Sequence, residues 1–395
     1  MNKSTATALV PLKYVAEITS GSTPKSDSTN WGGDIPFITP PDLNGLNGST
    51  ISRWERTLTE LGTYRSTRAK AAVLLSCRAP IGHVGIAMEE VTFNQGCKAI
   101  TPKCSDDLAY LAHCLVSYRA ALQAQGRGTT FIELSTTELS NFAIPWPSPS
   151  VRRSISNYLN RETGELGLMI AKLDDLMDVL TARRHAKIAS VLASMSVRIR
   201  LTLVVDIISG SGFPDRFQGV SGQELPFYKV SSLSSANKGY LYEAENSVTS
   251  EMATELGARI LPPGSVIMAK IGAALLLARY AVTSRPACID NNLQALVPRG
   301  KLIDSRFLAY AMEEVSIPSL VKPGPVPSLD VMGMKMTDIA YDHSLEEQHR
   351  IVDHLDEVTS KIDAMIAKVS ELKSLLIERR AALITDVVTG RKKVA

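Results

Sequence analysis

The sequence predicts an α+β chain: two mixed α/β globular units separated by two long helices that pair as an antiparallel coiled coil, the halves related by a pseudo-two-fold internal repeat. Three observations lead there. Met-Ile-Ala-Lys stands at 169–172 and again at 365–368, 196 residues apart in a chain of 395. Two Pro-free stretches carry apolar residues at heptad spacing. Each is preceded by some 150 residues rich in Gly, Pro, Ser and Thr with short apolar runs. The expected boundaries are 1–150, 151–197, 198–343 and 344–395.

The first globular unit (1–150) reads as short strands such as Ala72–Ser76 between turns, with one helix near 106–124. After IPWPSPS at 144–150 the composition shifts to helix. There Leu159, Leu166, Leu173 and Leu180 lie seven apart, with Met169 and Leu176 as the partner row. The second unit repeats the plan, with Ile260–Ala269 as strand and a helix near 304–316. Its helix carries Leu355, Ile362, Val369 and Leu376 seven apart, with Met365 and Leu372 beside them. Each helix, at 1.5 Å rise per residue, spans ~60 Å, too long to be the core helix of a small domain. Antiparallel packing follows from one helix per copy.

The repeat extends well beyond four residues. Between Ile155 and Ser194, 14 of the 40 positions are identical to those 196 further on, among them Thr163/Thr359 and the pairs Arg183-Arg184 and Arg379-Arg380. Upstream, ITSGSTP (18–24) answers IISGSGFP (207–214), DIPFITPPDL (34–43) answers ELPFYKVSSL (224–233), and AVLLSCRAPIG (72–82) resembles GSVIMAKIG (264–272). The offset drifts while the order of elements holds, which marks an internal duplication.

Composition narrows the classes. Hydrophobic content of 45% and charged content of 21% fit a soluble globular protein. No apolar run is long enough for a membrane span, and the start lacks a signal-peptide pattern, so the expected setting is the cytoplasm, without a membrane partner. The five cysteines form no CxxC pair, which argues against a zinc ribbon and suits reduced thiols. Net charge of +3 is a faint sign of a polyanionic partner.

Chemistry-bearing motifs are missing. No phosphate-binding G-x-x-x-x-G-K-[ST] loop, G-x-S-x-G elbow or HExxH helix occurs. TPPD at 39–42 lacks the leading Asx and the aromatic that a base-clamping methyltransferase loop needs, so it reads as a turn. No catalytic residue, metal ligand or cofactor site is expected in this chain.

Taken with SGSTP (20–24), LLSCRAPIG (74–82), FNQGCKAI (93–100), GTTFIELSTTELSNFAIPWP (128–147) and HSLEEQHRIVDHLD (343–356), the tandem plan resembles the specificity subunit of type I restriction-modification systems. The second copy departs at CIDNNLQAL (288–296), which keeps the Asn but not the Gln of the Asn-Gln pair, and at PGPVPSLD (323–330); the first lacks Glu-Gln at its helix start. The resemblance implies a non-catalytic subunit whose two target recognition domains each read half of a split site in double-stranded DNA. The helices would set the gap between the halves. Partners would be two methyltransferase subunits and restriction subunits, with S-adenosylmethionine, ATP and Mg2+ bound by those partners and none by this chain.

Base readout and phosphate contact use Arg, Lys, Asn and Gln, with aromatic support. In loops of the first unit the candidates are Lys25, Trp31, Arg53, Arg78, Gln95 and Arg127; in the second, Arg216, Lys229, Lys270, Asn292 and Lys322. Each also fits a surface charge or a strand-end hydrogen bond. Two other classes stay open: a coiled-coil adaptor that binds protein or carbohydrate, and a fragment of a fused restriction-methylation enzyme.

Overall fold

The structure, a computed structural model, describes residues 8–126 and 133–394. It divides into two compact units, one formed by 1–174 with 371–395 and the other by 175–370, so each division falls inside a long helix.

In the first unit the strands Ala16–Ser20, Cys97–Pro102, Ala72–Ser76 and Val84–Ala87 form an antiparallel sheet in that order. All five residues of Ala72–Ser76 are buried, because both faces of the sheet are covered. Side chains alternate across a strand. Val73 and Leu75 therefore join the cluster built with the helix Leu108–Ser117, while Ala72 and Leu74 meet Ile38, Leu43 and Phe93 on the other face. A second sheet runs Arg56–Leu58, Trp31–Ile38, Val91–Phe93, Thr67–Ala69, with a parallel pair at its centre. TPPD forms the short 3-10 helix Pro40–Leu43, and Asp42 Oδ2 accepts from the backbone N–H and hydroxyl of Thr39, the turn expected of it.

The second unit repeats this layout. Val205–Ser209, Leu293–Pro298, Val266–Ala269 and Tyr280–Thr283 form the equivalent sheet, extended by Tyr240–Leu241, and Leu225–Tyr228 pairs in parallel with Cys288–Ile289. The helix Ser305–Glu313 takes the place of Leu108–Ser117.

The long helices are Pro149–Ala193 and Leu345–Val388, and they pair antiparallel within each unit. In the first, Ile155 and Leu159 share a core with Ile384, Val387 and Val388, and the Lys373 ammonium reaches Asp174. In the second, Ile188 and Leu192 share a core with Val352 and Leu355, and Arg184 Nε donates to Asp363 Oδ1 at 3.0 Å.

The heptad row Leu159, Leu166, Leu173, Leu180 and its repeat Leu355, Ile362, Val369, Leu376 lies buried or half-buried along the seam. The partner row differs from the sequence reading. Met169, Leu176, Met365 and Leu372 are 42–51% exposed. Their places are taken one residue later by Thr163, Ile170, Met177 and Arg184, and by Thr359, Ile366, Lys373 and Arg380. The seam steps by four and then three from each leucine, where selection by apolar character alone had stepped by three and then four. Thr163 can occupy it because its hydroxyl donates to the Leu159 carbonyl at 2.6 Å, leaving only its methyl group to pack.

This row assignment sets a stability test. Leu159→Ala should cost about 2–5 kcal/mol, as for a deleted core leucine. Met169→Ala, although a row neighbour by the apolar criterion, should stay within about 0.5 kcal/mol. Denaturant melts of the full chain check both, and equal losses would restore Met169 to the seam.

Candidate nucleic-acid interface

Each unit joins two loops by the same close approach. In the first, Gly21 and Ser22 donate to the carbonyls of Cys97 and Phe93, both at 3.1 Å. The turn they meet is held by Asn94, whose Oδ1 accepts from Gly96 N–H at 3.0 Å. In the second, Gly210 and Ser211 donate to Leu293 and Ile289, and Asp290 Oδ1 holds the turn by accepting from Asn292 N–H at 2.8 Å. These are Asx turns, in which a short polar side chain replaces a backbone partner. Glycine is required at the crossing: a Cβ on Gly21 would overlap the Asn94 carbonyl, and one on Gly210 the Asp290 carbonyl.

Around this crossing the first unit gathers four sequence candidates. The Thr23 hydroxyl bonds to the Gln95 side-chain carbonyl. The carbonyl of Lys25 accepts from Trp31 Nε1 and Asn30 Nδ2, both at 3.1 Å, leaving the Lys25 side chain exposed. Cys77 N–H donates to the Gly96 carbonyl at 2.7 Å, which sets Arg78 beside the turn, where its Nε pairs with Glu133 at 3.0 Å. Arg53 is exposed and stands apart from these links, and Arg127 lies outside the described residues.

The second unit gathers its own set. Lys270 N–H donates to the Asn292 carbonyl at 2.9 Å, and Leu329 N–H to the Lys270 carbonyl at 2.8 Å. The latter contact brings in the strand pair that holds Lys322, whose ammonium lies 3.7 Å from Asp330. Asn292 is spent largely on its own turn. Lys229 Nζ donates to Gln218 Oε1 at 2.6 Å, and Arg216, two residues before Gln218, pairs with Glu255 at 3.0 Å. Exposed ion pairs such as Arg78–Glu133 and Arg216–Glu255 are worth about 0–1 kcal/mol, so a phosphate can displace the carboxylate at little cost.

Two features escaped the sequence. The Arg56 guanidinium lies 3.6 Å over the Trp31 ring, while that ring meets Phe37 edge-on at 5.1 Å. In the second unit Lys229 sits 5.3 Å over Phe213, itself stacked on Phe227 at 3.9 Å. Each unit thus presents a cation held on an aromatic face. No fixed spacing links residues 31 and 56, so only the pairing of Trp31 with Leu58 across the sheet exposes the relation.

Cys77, Cys97 and Cys114 are buried in apolar surroundings. Burial pushes Cys77 and Cys114 up to about 12, and Cys97 upward as well, so all three stay protonated. Among the described residues no three His, Cys, Asp or Glu side chains gather to hold a metal, and no helix is long and apolar enough to cross a membrane.

The family described as Type I restriction modification DNA specificity domain matches residues 7–165. Over 409 aligned residues the chain is 26% identical to the Type I restriction enzyme MjaIX specificity subunit of Methanocaldococcus jannaschii, covering 97% of this chain and 93% of that one. A solved structure reported for complex assembly and conformational transition of a type I R-M system matches at a TM-score of 0.65 and 17% identity, over 99% of this chain and 100% of that one.

The glycine crossings can be probed directly. Gly21→Ala and Gly210→Ala should each destabilise by about 1–3 kcal/mol, as forced overpacking does, seen as a lower melting midpoint. A silent Gly21→Ala would mean that the two loops do not meet as described.

Proposed function

We propose that the chain is a specificity subunit of a type I restriction-modification system and that each unit reads one half of a bipartite site in double-stranded DNA. The observation that supports this most is the repeated loop crossing. One sheet and one glycine contact recur in both units, while the side chains around them differ: Lys25, Trp31, Arg56, Arg78 and Gln95 in one, Arg216, Lys229, Lys270 and Lys322 in the other. A common frame with different donors suits the reading of two unlike half-sites. Arg53, Asn292 and Arg127 are proposed as further contacts.

In this reading the subunit carries out no chemistry of its own. Two methyltransferase subunits and the restriction subunits supply methylation and ATP-driven cleavage in the cytoplasm, binding S-adenosylmethionine, ATP and Mg2+. The long helices set the distance between half-sites, as the separation of two readers does in dimeric DNA-binding proteins. They also dock the methyltransferase subunits, which gives a use to apolar side chains left exposed: Leu168, Met169 and Leu372 in the first unit, Val179 and Met365 in the second.

Sequencing of methylated sites in the host, with and without the gene, tests the reading. A split motif that vanishes on deletion supports it, and an unchanged methylome overturns it. Seven residues inserted into each helix, which keeps the heptad phase, add ~10 Å or about three base-pair steps. The methylated motif should keep both half-sites and gain spacer. The double change Met169→Glu with Leu372→Glu should weaken capture of the methyltransferase subunit at least tenfold in pull-down titrations, with the melting midpoint of the free chain held.

A further inference from the structure

Arg184 and Arg380 occupy the same position of the repeat, yet their surroundings are opposite. In the second unit Arg184 donates to Glu313 from both Nη atoms, the nearer at 2.5 Å, and to Asp363 at 3.0 Å. Burial works against its charge, but the two carboxylates together outweigh that, so it is held charged more firmly than a free arginine. In the first unit the matching places hold Gly167 for Asp363 and Val116 for Glu313, the latter by the Tyr-Leu-Ala/Phe-Leu-Ala match at 110–112 and 307–309. Arg380 is half-buried all the same. Its one hydrogen bond among the described residues runs from Nη2 to the Ser49 hydroxyl at 3.0 Å, and its buried Nε has no acceptor.

The exchange of side chains also leaves space. In the second unit Arg306 and Tyr310 meet at Asp356. Their counterparts in the first are Ala109, His113 and Asn160. There a cavity of about 630 Å³ is lined by Ser49, Ala109, His113, Asn160, Gly167 and Arg380 among others. His113 is 4% exposed; its Nε2 meets Asn160 Oδ1 at 2.9 Å, and its buried Nδ1 has no partner. Asp106, on the lining, is engaged by Arg153 at 2.7 Å. Among the described residues the cavity therefore holds a guanidinium that no carboxylate engages, where the repeat shows that this position takes two.

We propose that this cavity receives an Asp or Glu side chain of a partner protein subunit, which caps Arg380 as Glu313 and Asp363 cap Arg184. A guanidinium pairs with a carboxylate in a planar, two-point geometry. Until then the buried charge is only partly compensated, which burial alone disfavours and which accounts for a lowered Arg380 pKa. The proposal rests on the partner reading above, and its test separates the two.

The full chain and its methyltransferase subunit are titrated as wild type, Arg380→Gln and Arg184→Gln, with melting of each free chain measured in parallel. Arg380→Gln should weaken association at least tenfold while the free chain melts at or above the wild-type midpoint. Arg184→Gln should lower that midpoint, since it strands Glu313. Acetate, compared with chloride at equal ionic strength, should raise the melting midpoint of wild type and leave Arg380→Gln unmoved. Equal association of wild type and Arg380→Gln overturns the proposal; if acetate still acts, the cavity serves a free carboxylate instead. A loss confined to DNA affinity of the assembled complex points to a phosphate contact and overturns it too. Wild type that fails to bind the subunit at all, with the acetate effect intact, overturns the partner reading itself.

Discussion

Neither globular unit can close its core without residues from both long helices. The sheet and the helix Leu108–Ser117 leave an apolar face that Ile155 and Leu159 cover from one helix and Ile384, Val387 and Val388 from the other. The second unit repeats the arrangement with Ile188, Leu192, Val352 and Leu355. Each such side chain contributes roughly 1.5–3 kcal/mol when fully buried. The first unit therefore includes residues near both ends of the described chain, and the second is assembled from its middle. Contacts of that sequence separation form late and slowly, because loop closure must precede the gain from packing.

Duplication satisfies this constraint economically while freeing the loops. The elements that recur most closely are those that build the closure: the helices, the sheet order, and the two glycines that let one loop cross another. Side chains beyond the crossing are not needed for the core, and there the copies diverge. Thr23 bonds to Gln95 in one unit; in the other the matching places hold Gly212 and Asn291. Divergence at loops carried on a conserved frame is what a pair of readers with different targets requires.

How much of this was legible in the sequence depended on whether a feature was periodic. The repeat, the two helices and the leucine rows could be read because period and offset are one-dimensional. The partner row could not, since steps of three and of four are equally compatible with a heptad, Met169 and Leu176 are no less apolar than Ile170 and Met177 beside them, and Thr163 and Arg184 at the ends of the true row are polar. The structure prefers the latter because threonine satisfies its own hydroxyl and arginine finds Glu313 on another element. Loop residues were chosen by type alone; Lys25, Trp31, Arg78 and Gln95 fall near one crossing in the structure, but residue type did not reveal that Arg56 rests on Trp31. A cation–π contact between residues 31 and 56 is a property of strand pairing. No sequence period carries it.

The polar members of the partner row also answer a difficulty that the duplication creates. Two helices with 14 identities in 40 positions offer nearly equivalent apolar surfaces, and a uniform seam would tolerate sliding by a heptad. Polar positions within a seam specify register at some cost in stability. Lys373 meets Asp174 in the observed register; a slip of one heptad would set Gly167 or Thr181 opposite it, with no charge to accept its ammonium. Arg184 meets Asp363 and Glu313 in the same register. The polar members of this row, Lys373 and Arg184, thus distinguish one pairing from its neighbours. Since the distance between half-sites is proposed to follow from these helices, register and spacer length are then set by the same few ion pairs.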